Sequence, residues 1–214
     1  MNKEKLILIG GGGHCKSVIE VIELEDKFEI AGIIDLPGKL NSEISGYKIL
    51  WNDSDIESLV KKNYHFIITL GQIKSAASRV KLFGKLQILK ANMPVIISPL
   101  AFVSKHSIIG KGTVVMHHAI VNSGVKTGIN CILNSKSLLE HDVEIGNHCH
   151  ISTNSVINGE TKIGEMVFVG SGSVINNNLS IHSNTVIGSG SVVIKNIESP
   201  GNYCGNPAKK LLKG

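Results

Sequence analysis

Glu140-His141-Asp142 sets an imidazole between two carboxylates. Histidine titrates near neutral pH, and a neighbouring acid can fix its tautomer and steady the imidazolium, so the triplet is a candidate general base. Gly10-Gly11-Gly12-Gly13-His14 offers a different chemistry. Residues without side chains let backbone N–H groups approach a phosphate where a strand gives way to a helix. Asp35, further along, can supply a carboxylate to a nucleoside. Cys15 stands where a Gly-x-Gly-x-x-Gly fingerprint counted from Gly10 needs its third glycine, which departs from a dinucleotide site. His148-Cys149-His150 has the look of a metal cluster. The periodicity described next puts Cys149 in a core, and two histidines alone make a poor site, so no metal is expected.

These residues must be positioned by two differently organised segments. From Ile109, stepping by six gives Val115, Val121, Thr127, Leu133, Leu139, Ile145, Ile151, Ile157, Ile163, Val169, Ile175, Ile181, Ile187 and Val193, aliphatic except at Thr127. Backward steps reach Val103 and Ile97. The next position is mostly glycine or small and polar, read here as a turn former. Four residues after each aliphatic comes a modest side chain such as Ala119, Ser137, Cys149 or Ser155. A six-residue period suits neither an amphipathic helix nor a free strand, but it suits a parallel β-helix of short strands with a corner every sixth residue. His141 falls in the corner after Leu139. His150, nine residues on, should point to a different side of the coil.

Residues 1–95 alternate differently. Strands are expected at Lys5–Ile9, Phe28–Asp35 and His65–Leu70, with helices at His14–Leu24, Ser54–Lys62 and Ser75–Lys90 and an irregular stretch holding Gly46 and Trp51. Alternating β and α elements with a glycine-rich first turn predict an α/β, Rossmann-like half domain. The expected division is therefore 1–95 for nucleotide or substrate binding and 96–214 for the β-helix with a C-terminal cap.

Composition narrows the function classes. Apolar residues reach 42%, enough for a packed core, while aromatics are only 4% and glycines number 23, which fits many short strands and tight turns. Lys and Arg exceed Asp and Glu by five, but they are scattered, so no nucleic-acid partner is expected. Cys15, Cys131, Cys149 and Cys204 form no Cys-x-x-Cys pair, and a reducing cytoplasm is the expected compartment. The apolar run Leu6–Ile9 is too short for a signal peptide, and no run approaches the roughly 18 residues of a membrane helix.

The chain resembles the bacterial sugar acetyltransferases that include nucleotide-linked amino-sugar N-acetyltransferases of bacillosamine and perosamine type and sialic acid O-acetyltransferases. The resemblance is carried by the Gly-Gly-His turn, Ile-Thr-Leu-Gly at 68–71, Ile-Leu-Asn at 132–134, Glu-His-Asp at 140–142 and Gly-Asn-Pro-Ala-Lys at 205–209. It implies a left-handed β-helix with three faces per 18-residue coil, a homotrimer, and acetyl-CoA as co-substrate. It implies that His141 is the base and Asp142 its orienting acid. By the same resemblance, His150, Gly159, Gly170 and Gly188 lie along the acetyl-CoA site, Asn134 contacts the acceptor, and Gly12, His14, Asp35 and Gly71 hold the nucleotide. The implied reaction is N-acetylation of a UDP-linked amino sugar in surface-glycan biosynthesis. O-acetylation of a sialic or nonulosonic acid shares this machinery and stays open. A non-catalytic scaffold and a nicotinamide-dependent oxidoreductase are the readings from other classes. Departures are Gly-Gly-Gly-Gly-His-Cys at 10–15, Gln72-Ile73-Lys74-Ser75, and His117-His118 in place of a Pro-Tyr pair. With His141 and His150 on different sides, the active site is expected between subunits.

Overall fold

The computed structural model describes residues 3–73 and 75–211. Among these, the first elements are β1 (Glu4–Ile9), α1 (Gly13–Glu25), β2 (Phe28–Ile34), β3 (Glu43–Ile44), β4 (Tyr47–Trp51), α2 (Ile56–Lys61), β5 (His65–Ile68) and α3 (Ala77–Ile88). They build a sheet of order β3-β4-β2-β1-β5, parallel except for the β3–β4 hairpin. β1 lies between β2 and β5, and its alternation feeds two cores. Leu6 and Leu8 pack with Val18, Ile19 and Ile22 of α1, while Ile7 and Ile9 pack with Ile56, Leu59, Phe83 and Leu86 of α2 and α3. Each fully buried aliphatic contributes about 1.5–3 kcal/mol. The stretch around Gly46 and Trp51, expected to be irregular, is a hairpin whose second strand joins the sheet beside β2. Gly46, at φ 87, makes its turn.

From Ile96 the chain winds into a left-handed parallel β-helix of mostly two-residue strands, each repeating 18 residues on. Ile132–Leu133, for example, pairs with Val114–Val115 on one side and His150–Ile151 on the other. In the two-residue strands from Ile96 to Val193 the second residue points in. Leu133, Leu139, Ile151, Ile157 and Val169 are fully buried in one continuous core, and so are Ala119, Cys131, Ser137, Cys149 and Ser155 at the small inward positions.

The three faces differ in what their outward residues meet. One carries Ile96, Val114, Ile132, His150 and Phe168, all buried, and Ile96 and Val114 share a core with α1. A second carries Phe102, Ile120, Leu138, Val156, Val174 and Val192, with Phe102 58% and Ile120 40% exposed. The third shows Lys126, Glu144, Lys162 and Ser180 to solvent.

The corner chemistry corrects the sequence expectation. Gly110, Gly128, Gly146, Gly164, Gly170 and Gly188, read as turn formers, do not have positive φ. They are small because successive coils nearly touch. A Cβ on Gly146 would lie 2.7 Å from Gly164 C, and one on Gly170 2.5 Å from Ser189 N. The left-handed residue that turns the chain comes two positions later, as at Asn130, Lys136, Asp142, His148 and Asn154, with φ between 54° and 60°. Asn and Asp tolerate that conformation best among residues with a side chain, and Gly124, Gly172 and Gly190 occupy it elsewhere.

Candidate active site

His141 is the middle residue of a corner between the open apolar face and the charged face. Asp142 holds the left-handed position of that corner, and its Oδ2 lies 3.0 Å from His141 Nδ1. The carboxylate accepts from Nδ1–H and leaves Nε2 to take a proton. One coil on in the same position is Gly159, where a Cβ would stand 2.6 Å from Nε2 and 2.7 Å from Cε1. The ring therefore lies over a residue with no side chain. Gly124, one coil before Asp142, leaves room for the carboxylate in the same way. Glu140 turns from the dyad and accepts from Asn122 Nδ2 at 2.9 Å.

His150 is on the face covered by the first segment, so His141 and His150 do not meet within one subunit. Its Nδ1–H donates to the Gln72 carbonyl at 2.6 Å, and its Nε2 accepts from Asn134 Nδ2 at 3.1 Å. Burial holds its pKa down to about 4; the Gln72 carbonyl acts the other way, and the Arg79 charge adds to the lowering. The residue is thus a neutral imidazole with both nitrogens engaged. Asn134, Ser152, Gly170 and Gly188 stack at one corner position, losing side-chain bulk toward the C-terminal end. Coil packing demands the two glycines, and the edge they leave is bare backbone.

In the first segment, Gly10 and Gly11 are sterically fixed. A Cβ on Gly10, at φ 106, would run into Leu70, and one on Gly11 would lie 3.0 Å from Asp35 Oδ2. Gly12 and Gly13 have nothing within 4 Å of such a Cβ. They open the N-terminus of α1, where no side chain caps the helix. Asp35 accepts from Gly11 N–H at 2.8 Å, Leu36 N–H at 2.7 Å and Lys39 Nζ at 3.0 Å. Burial alone would raise its pKa, but these donors outweigh it and keep the carboxyl below its ordinary value. His14 follows on α1, with Gly71 against its Cβ and the His150 ring 6.5 Å away. Burial, aided by the charge of Arg79 and by His150, takes its pKa to about 3, and its Nε2 is sealed from solvent without a protein partner among the described residues.

Gly12, His14, Asp35 and Gly71 thus cluster at one end of the sheet, His14 lies beside the His150 ring that bonds Asn134, and His141, Asp142 and Gly159 form a separate group. Sequence reasoning missed Gln72, Arg79 and Asn130, which join the two segments. Arg79 reads as one more charge in a helix, and nothing in its spacing distinguishes it. Among the described residues no three His, Cys, Asp or Glu side chains gather as metal ligands, and no helix is long and apolar enough to cross a membrane.

Two family models match the chain: the PglD N-terminal domain over residues 5–86 and the bacterial transferase hexapeptide (six repeats) over 160–195. No curated protein sequence matches it significantly. Among solved structures, the acetyltransferase domain of PglB from Neisseria gonorrhoeae is 28% identical, with 98% of this chain and 100% of that chain covered and a TM-score of 0.90. That domain has also been solved with acetyl coenzyme A. A mutant of perosamine N-acetyltransferase from Caulobacter crescentus, solved with CoA and GDP-perosamine, is 26% identical over 98% of this chain and 97% of that one, with a TM-score of 0.91. WeeI from Acinetobacter baumannii, at 22% identity and a TM-score of 0.79, shares the fold. The two family models and the full-length likeness to two acetyltransferases support placing the chain with the hexapeptide-repeat sugar acetyltransferases, behind a PglD-type N-terminal domain.

Proposed function

We propose that the protein transfers the acetyl group of acetyl-CoA to the amine of a nucleotide-linked amino sugar, supplying a surface-glycan precursor in the cytoplasm. The observation that carries this reading is the His141–Asp142 dyad, its free Nε2 lying over the bare Gly159 edge. The neighbours solved with CoA, acetyl-CoA and GDP-perosamine support the substrate classes. Residues 1–95 would hold the nucleotide, with the open N-terminus of α1 at Gly12 and Gly13 facing its phosphates. Residues 96–214 would hold acetyl-CoA between two subunits, with Gly170 and Gly188 on the edge of one coil and Gly159 at the His141 corner of its neighbour.

His141 Nε2 takes a proton from the acceptor amine as its nitrogen attacks the thioester carbonyl, and Asp142 stabilises the imidazolium. A backbone N–H beside the ring, with Gly159 the residue in place, steadies the tetrahedral oxyanion. Collapse of that intermediate expels the CoA thiolate, which His141 can reprotonate. Bringing two bound substrates into line supplies much of the remaining acceleration.

The open apolar face supports a homotrimer. Of the coil's three faces, one is covered by the first segment and one is charged; the third exposes a strip from Phe102 to Val192 that a second copy can bury. His141 borders that strip. A neighbouring subunit would bring its own covered-face edge, with Asn134 and His150, toward it.

The test is thiol release from acetyl-CoA with UDP- and GDP-linked amino sugars and free nonulosonic acids. A nucleotide amino sugar should turn over, and His141→Ala should slow it by about 10²- to 10⁴-fold. Turnover of a nonulosonic acid alone would move the function to O-acetylation, and unchanged rates in the variant would remove His141 from the mechanism.

A further inference from the structure

Between the glycine turn and the coil lies a buried guanidinium that the reaction as described does not use. Arg79, in the first turn of α3, is 1% exposed, and its hydrogen-bond partners are all carbonyl oxygens. One terminal nitrogen donates to Leu70 O at 2.7 Å and to Ile68 O at 3.4 Å. The other donates to Asn130 O at 2.8 Å and Asn130 Oδ1 at 2.7 Å. Burying a cation against dipoles alone is among the costlier arrangements in a core, and a leucine would dock α3 more cheaply.

The clamp has a defined output. Ile68 and Leu70 end β5 and its exit, Leu70 rests on Gly10, and two residues later the Gln72 carbonyl receives His150 Nδ1–H. That bond leaves His150 Nε2 as an acceptor for Asn134 Nδ2, while Asn134 Oδ1 accepts from Ser135 N–H at 2.8 Å. With two of its contacts fixed, the Asn134 amide has one orientation and one uncommitted N–H. The charged and titratable groups around His150 are Arg79 and His14, and burial with the Arg79 charge keeps it neutral.

We propose that Arg79 is a positioning residue for acyl transfer: by clamping the exit of β5 to the coil at Asn130, it holds the Gln72 carbonyl that sets the His150 tautomer and thereby aims the Asn134 amide. The proposal rests on the coil edge being the acetyl-transfer site. It also makes the exit of β5 the mechanical link between the glycine turn and that edge.

The experiment is ¹⁵N-histidine NMR on the intact protein, with steady-state kinetics alongside, for wild type, Arg79→Met, Arg79→Lys and Phe83→Leu. Phe83 packs edge-on to His148, which bonds Asn130 at 2.9 Å, so this variant loosens packing beside the clamp while removing none of its hydrogen bonds. In wild type, His150 should be a single neutral tautomer with unprotonated Nε2 from about pH 5.5 to 8. Arg79→Met, and Arg79→Lys whose ammonium cannot span Leu70 and Asn130, should both show protonated Nε2. Their kcat should fall at least about tenfold while KM for the nucleotide sugar moves less than about threefold, as expected when donors are misaimed by a fraction of an ångström. Phe83→Leu should keep the wild-type tautomer and kcat within about twofold, a loss of packing without loss of aim. If Arg79→Met does not fold, Arg79→Lys carries the comparison. A folded Arg79 variant with the His150 tautomer unchanged overturns the proposal, as does an equal kcat loss in Phe83→Leu. Absence of turnover in wild type would sink the acetyltransferase reading instead, and the tautomer comparison would still decide the relay.

Discussion

His141 and Asp142 are adjacent in sequence, so the dyad needs only the local left-handed turn at Asp142 to form. What lies under the ring depends on the coil. Gly159 is 18 residues away and abuts Nε2 only because the coil closes with that period. The ring it touches is exposed at the surface and can move, so Gly159→Ala should displace the base without unfolding the core. The expected result is a kcat loss of about tenfold or more, since sub-ångström placement governs the reaction, with a melting temperature close to wild type. Parallel melting curves and thiol-release kinetics check it. A variant of normal activity would show that the imidazole does not work from its observed position.

Among the elements, the corner is the unit that repeats, and its two small positions do different work. The Gly146 position faces the backbone of the next coil, where Gly164 C and O and Glu165 N stand 2.7–2.8 Å from any added Cβ. Backbone cannot step aside as the His141 ring can. Gly146→Ala should therefore destabilise the coil by about 1–3 kcal/mol, the usual cost of overpacking, while the dyad keeps its geometry. Chemical denaturation with activity measured below the transition would test this, and an unchanged midpoint would contradict close coil contact. The contrast with Gly159 is one of neighbour type: the same substitution meets a flexible side chain in one corner and fixed peptide in the other.

For the whole molecule, the exposed strip from Phe102 through Val192 and the buried histidines set two expectations. Replacing Leu138 with Glu puts a charge in the middle of the open face, where burial against a second copy would leave it unpaired. Sedimentation should then show dissociation, with loss of turnover if the site is shared; an unaltered oligomer would place the interface elsewhere. His14 and His150 have folded pKa values of about 3 and about 4 against an ordinary 6.5. Below pH 6.5 the unfolded chain binds protons that the folded chain refuses, so the stability they allow is full above about 6.5 and falls steadily as pH drops toward 4. Thermal unfolding at stepped pH should show this slope, and His150→Gln should flatten it. A pH-independent melting temperature across that window would mean that both rings protonate freely.

The sequence by itself determined the coil, because one large and one small inward residue per six positions can be buried together only where the chain turns every sixth residue. It determined the dyad for the same local reason, and it marked the glycine turn and Asp35 through residue type. It misread the glycines that follow each aliphatic, since local propensity speaks of φ while the constraint there is the approach of a strand 18 residues away. It left β4 irregular because a short hairpin strand gains its stability from β2 rather than from its own pattern. Only the tertiary structure decided that His150 is a neutral, doubly bonded imidazole and that Gln72, Arg79 and Asn130 join the two segments around it. Those contacts span 51 to 78 residues, and such pairings exist only after both segments have folded and docked.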